Sequence, residues 1–164
     1  MSAKELKFKE VYENNYPKVM RLCLGYVNGE NTLARDLTQE TFIKVWENLD
    51  TFRDESRITT WVYRIAVNTC LAELRQSKKN IKRYQVDGIP EIADSNLGER
   101  KEELLSQLYS CINTLTETNK AIILLELDGL PQKEIAVVTG LKHEAIRTRI
   151  HRIKNELTKC VHHE

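Results

Sequence analysis

The chain has 164 residues, 41% of them hydrophobic and 30% charged, and 25 Lys and Arg against 24 Asp and Glu leave a formal net charge of +1. This length holds one ordinary domain or two small ones, and the composition is that of a globular chain with a packed interior and a mixed-charge surface. There is no secretory apolar segment and no run of the roughly 18 apolar residues that a membrane helix needs, which argues against export and membrane insertion and makes a reducing cytoplasm the expected compartment.

Only three Pro and six Gly interrupt the chain. Apolar residues recur every three or four positions, so the reading is all-α. The first helix is predicted over Lys7 to Tyr26, burying Phe8, Val11, Tyr12, Val19, Leu22, Cys23 and Tyr26, with Pro17 marking a kink or a short break. A turn around Gly29 follows. The second helix is expected from Thr32 to about Asn48, with Leu33, Leu37, Phe42, Val45, Trp46 and Leu49 as its apolar positions. After a polar break at Thr51 to Thr60 a third helix runs to about Lys79, with Trp61, Ile65, Val67, Leu71 and Leu74 inward and Arg64, Asn68 and Arg75 outward.

Arg75 to Tyr84 holds five basic residues in ten, and Asp87 to Glu103 reverses the sign with six acids against two bases. The acidic stretch also carries Gly88, Pro90, Ser95 and Gly98, too little apolar surface to order itself, and reads as a flexible linker over 80–101. The division is therefore a helical domain over 1–79, the linker, and a second helical domain over 102–164. In the latter, helices are expected over Glu102 to Asn113 and Leu115 to Leu127, with Thr114 and Glu117 at capping-box spacing, and Gly129 and Pro131 as stop and restart.

The four cysteines, Cys23, Cys70, Cys111 and Cys160, lie more than forty residues apart and form no CxxC pair. They read as inert thiols, three of them among apolar neighbours, and a zinc knuckle is disfavoured. No catalytic triad, paired-acid arrangement or phosphate loop is present, so no catalytic residue, cofactor or metal site is expected.

The segment LPQKEIAVVTGLKHEAIRTRIHRIKNEL, Leu130 to Leu157, reads as a helix, a turn at Gly140 and a second helix. Ile146, Ile150, Ile153 and Leu157 form one apolar stripe, while the thirteen residues Lys142 to Lys154 carry five Lys or Arg against one acid. This is the geometry of a helix-turn-helix placing its second helix in a DNA major groove. Glu144 and Arg147 are the candidate base readers, and Lys142, Thr148, Arg149 and Arg152 the candidate phosphate binders. His143 is a further candidate contact, and the competing reading is a solvated basic face.

Asp36 to Arg75 is a second patterned block. Asp36, Gln39, Glu40, Lys44 and Glu47 make a mixed-charge face beside Phe42, Ile43 and Trp46, suited to a protein partner, although Trp46 taken alone reads as core. Together the two blocks resemble, in order and spacing, the two domains of small bacterial sigma factors of the extracytoplasmic-function group in the sigma-70 superfamily. DLTQETFIKVW resembles the helix that binds core polymerase, TFRDESRITTWVYRIAVNTCLAELR the region that melts the promoter and recognises the minus 10 element, and the C-terminal helix-turn-helix the domain that reads the minus 35 element.

The resemblance implies that Asp36, Gln39, Glu40, Phe42, Ile43 and Trp46 lie at or beneath a surface docked to the β′ clamp helices of RNA polymerase core enzyme. It implies that Phe52, Arg53, Asp54, Glu55, Ser56 and Arg57 belong to a loop that captures an unstacked promoter base, bordered by Arg64, Asn68 and Arg75, and that Lys142, His143, Glu144, Arg147, Thr148, Arg149 and Arg152 serve the minus 35 element. The β flap and an anti-sigma factor are further implied partners. Two departures stand out: FRDESRITTW where the family commonly has FRGESSFRTW, and KHEAIRTR where it commonly has SxGTVKSR. They leave the promoter sequence open. A stand-alone helix-turn-helix regulator and a structural helical adaptor are the competing functional readings.

Overall fold

The computed structural model describes residues 1–79 and 96–163, and all regular structure among them is helical. Helix α1 spans Ala3–Tyr26, α2 Asn31–Asn48 and α3 Ile58–Lys79, with a 3₁₀ turn at Leu49–Thr51 between the last two. After the intervening residues come α4 (Asn96–Ile112), α5 (Glu117–Leu127), α6 (Gln132–Thr139) and α7 (His143–His163). Most of the linker read in the sequence, 80–95, lies outside the described residues, and α4 begins at Asn96 rather than at Glu102.

Helix α1 starts at Ser2, whose hydroxyl accepts the Glu5 N–H at 3.1 Å, one of the donors that a helix start leaves unsatisfied. It continues through Pro17 without the break that the sequence allowed. Its end is sharp because Asn28 and Gly29 both adopt positive φ, 57° and 80°. Helix α5 is capped by Thr116, which accepts from the Asn119 N–H at 3.3 Å. The expected cap, Thr114, instead donates to the Cys111 carbonyl at 2.7 Å, satisfying the last turn of α4. The capping box therefore does not form, because the residue at its cap position is engaged by the helix before it.

Helices α1, α2 and α3 pack together around Val19, Leu22, Leu37, Val45, Val62 and Ala66, all fully buried. The buried face of α3 is rotated from the sequence reading. Val62, Tyr63, Ala66, Val67 and Cys70 lie inside, whereas Trp61, Ile65, Leu71 and Leu74 sit half-buried at the rim. Small Ala66 and Cys70 allow neighbouring helices to approach, which bulky side chains at those positions would prevent. In the C-terminal unit, Ile112, Ile122, Leu125, Ile135, Ile146, Ile150, Ile153 and Leu157 form the core. The apolar stripe foreseen on the last helix is its inner face.

Two of the four cysteines depart from the expectation of inert thiols. Cys111 on α4 and Cys160 in the last turns of α7 are joined by a disulfide, with Cα atoms 6.0 Å apart. Cys23 on α1 and Cys70 on α3 are free thiols, buried and in sulfur–sulfur contact at 3.6 Å. Sequence separation concealed both pairs, because helix packing brings together residues that the chain keeps far apart.

Candidate nucleic-acid interface

The C-terminal unit presents a complete helix-turn-helix. Gly140 ends α6 with φ 76°, and its N–H returns to the Ala136 carbonyl at 2.9 Å, so the chain reverses in a conformation that a side chain would strain. With Ile146, Ile150 and Ile153 facing the core, His143, Glu144, Arg147, Thr148 and Arg152 stand exposed on α7, and Lys142 is exposed just before it. Arg149 differs. It is half-buried and donates to the Asn119 Oδ1 at 3.2 Å, so its guanidinium is held against α5.

Between α2 and α3, Arg53, Asp54, Glu55 and Arg57 are exposed, while Ser56 is half-buried. Phe52 anchors the loop, its ring 5.1 Å from that of Trp61. Asp54 has φ 56°, a left-handed conformation that glycine adopts at little cost and that Asp tolerates better than most side chains. This accounts for one sequence departure noted above: Asp54 occupies a position where the resembling loops carry Gly. Along α3, Arg64, Asn68 and Arg75 are exposed, Arg64 and Asn68 one turn apart and Arg75 two turns further on.

Helix α2 places Asp36, Gln39, Glu40, Ile43 and Trp46 on its exposed side, with Phe42 buried beneath. Trp46 is 36% exposed, contrary to its reading as core. It lies at the edge of an aromatic cluster, its ring 5.3 Å from Phe8, with the Lys4 ammonium 4.3 Å from its centroid. The ring is thus oriented by packing on one side and open on the other.

The structure also shows a join between the two helical units. Asp128, at the end of α5, accepts the Arg21 Nε–H at 2.5 Å and the Tyr63 hydroxyl, and its side chain is only 6% exposed. Thr60 donates to Glu134 at 2.9 Å, and Asn113 donates to the Gly25 carbonyl at 3.3 Å. Gly25 lets α1 meet α5: a Cβ there would lie 2.2 Å from a Leu124 methyl. Burial, then the Asp128 hydrogen bond, hold the Tyr63 phenol well above its usual range, and burial does the same for Tyr26. The hydrogen bond to Asp128 likewise raises the Arg21 guanidinium.

Residues 11–80 match the family model for sigma-70 region 2, and residues 105–157 that for sigma-70 region 4. Over 156 residues, covering 88% of this chain and 81% of the relative, the sequence is 35% identical to the ECF RNA polymerase sigma-E factor of Escherichia coli strain K12. The chain belongs to the sigma-70 family, in its extracytoplasmic-function group. The sigma-E factor of Salmonella typhimurium strain LT2 is equally similar, at 35% identity with 88% and 81% covered. The sigma-H factor of Pseudomonas aeruginosa is 29% identical over 88% of this chain and 80% of its own.

Solved structures share the fold. The sigma factor RpoE of Bartonella quintana, crystallised with the anti-sigma factor NepR, superposes with a TM-score of 0.74 at 22% identity, covering 94% of this chain and 96% of that one. CnrH, solved with the cytosolic domain of CnrY, gives 0.73 at 19%, covering 98% and 90%. In this sigma factor region 2 therefore contains α2, α3 and most of α1, and region 4 contains α5, α6, most of α7 and the second half of α4.

Sequence reasoning located the exposed faces but missed Arg21, Gly25, Tyr63 and Asp128 at the join between the regions. One signal was present. Ala121 to Leu125 is an unbroken apolar run, and all five residues are buried, as expected of a short helix covered on two sides: α5 packs on α6 and α7 within its own unit and on α1 of the other.

Proposed function

We propose that this sigma factor binds RNA polymerase core enzyme, directs it to specific promoters and assists DNA melting, with no catalytic residue of its own. The division of labour runs over three stretches: a polymerase-binding and minus 10 unit over 1–79, a linker over 80–101 and a minus 35 unit over 102–164. Asp36, Gln39, Glu40, Ile43 and Trp46, supported by Phe42, dock on the β′ clamp helices, and region 4 engages the β flap. The observation that carries this reading is one chain holding two separate exposed faces, the mixed apolar and acidic face of α2 and the basic face of α7, within the two matched regions.

At the minus 10 element, Phe52, Arg53, Asp54, Glu55, Ser56 and Arg57 receive an unstacked base while Arg64, Asn68 and Arg75 follow the strand backbone. A rigid helix supporting a polar loop and a cationic edge suits an exposed base and its phosphates. At the minus 35 element, the first turns of α7 enter the major groove. Glu144 and Arg147 then meet base edges, with His143 beside them, and Lys142, Thr148, Arg149 and Arg152 meet phosphates. Arg75 is paired with Glu117 across the join, so the regions must separate before both elements are read. An anti-sigma factor that masks these faces and a cytoplasmic location complete the proposal. Among the described residues no helix is long and apolar enough to cross a membrane.

Reconstituted transcription with core polymerase and a promoter library tests the reading. A stable complex with core and initiation at a subset of promoters above the core-only control is expected. Absence of both defeats the proposal.

A further inference from the structure

We propose that Cys111 and Cys160 are a reversible redox pair that staples region 4. Cys111 is 1% exposed, packed beside Ile112, whereas Cys160 is half-buried near the end of α7. This asymmetry assigns the steps. The Cys160 thiolate attacks one sulfur of a low-molecular-weight disulfide, breaking that bond and releasing one thiol, which takes up the proton Cys160 gave up. Cys111 then loses its proton and attacks the Cys160 sulfur, closing the intramolecular bond and expelling the second thiol. Two protein thiols are oxidised and one small disulfide is reduced to two thiols.

The bond joins positions 49 residues apart and encloses α5, α6 and nearly all of α7, so it ties the tail of the recognition helix to α4 around the whole DNA-reading motif. A helical unit this small has little stability to spare, and a cross-link closing a loop of that length restricts its unfolded ensemble substantially. The redox state therefore sets how readily region 4 opens. Cys23 and Cys70 supply an internal contrast. Their sulfurs touch, but both side chains are 0% exposed in the core of region 2, out of reach of a dissolved disulfide while that region stays folded.

The full-length protein is first reduced, then incubated in oxidised glutathione, mapped by peptide mass spectrometry and melted. Formation of the Cys111–Cys160 bond is expected, with a mass lower by two hydrogen atoms, Cys23 and Cys70 still alkylated after unfolding, and reversal by dithiothreitol. The oxidised form should melt at least ~5 °C above the reduced form, and this gap should vanish in Cys160→Ser and in Cys160→Ala. Failure of the bond to form, bonding of Cys23 with Cys70 or between chains instead, or equal melting of the oxidised and reduced forms would overturn the proposal.

Discussion

Arg75 on α3 and Glu117 on α5 form an ion pair at 3.0 Å across the join between regions 2 and 4. One partner is a proposed strand-binding residue, so this contact and the minus 10 contact exclude each other. Glu117→Gln should leave the folded units intact and raise the affinity of the free protein for a minus 10 single strand by a factor of a few, with the gain shrinking as salt rises. Equal binding by the two proteins at low ionic strength contradicts the competition.

Asp128 holds Arg21 and Tyr63 together from a nearly buried position. Asp128→Asn removes the charge from both hydrogen bonds and should cost the join roughly 1–3 kcal/mol. Small-angle scattering should then show a larger radius of gyration for the free protein. An unchanged scattering curve would mean that the remaining contacts suffice to hold the regions together.

Arg147 and Arg149 are two residues apart, yet the structure treats them differently. Arg147 is exposed on the face of α7 free to enter a groove, whereas Arg149 is held by Asn119. Arg147→Ala should alter minus 35 preference at one base pair, by about 1–3 kcal/mol. Arg149→Ala should weaken binding to all sequences alike and lower the salt slope by about one. Binding measured across a promoter library separates the two, and an exchange of these phenotypes would refute the assignment.

Asp54 occupies left-handed backbone at φ 56°. Asp54→Gly should relieve up to about 1 kcal/mol of local strain, and Asp54→Val should destabilise by more than that gain. Urea unfolding midpoints of the two variants read the difference, and equal midpoints would show that the loop relaxes around any residue.

Tyr26 and Tyr63 carry raised phenol pKa values in the fold. The folded state thus retains protons that the unfolded state loses near pH 10, so this contribution to stability is complete below about pH 10 and falls as pH rises beyond it. Unfolding free energy should be lower at pH ~11 than at pH ~8, and Tyr63→Phe should reduce that drop. A phenolate absorbance titration checks the cause: both rings titrating with exposed tyrosines would remove it.

Helix positions, the all-α class and the two exposed faces were legible in the sequence because each depends on local spacing. A 3.6-residue period with Ile146, Ile150, Ile153 and Leu157 on one stripe leaves only one side of α7 for DNA, whatever surrounds it. The rotated face of α3, the exposure of Trp46 and the cap at Thr116 were not legible. Each depends on which neighbour covers or engages a residue, and periodicity carries no such information.

What the sequence determined by itself was the family, the order of its two helical units and the apolar stripe of α7. Only the tertiary structure decided that Cys111 meets Cys160, that Asp128 bridges Arg21 and Tyr63, and that Gly25 admits Leu124. The reason is physical. Helix formation is set within a few residues, but cross-chain contacts depend on how preformed helices bury their remaining apolar surface, and that is settled by packing the whole chain at once.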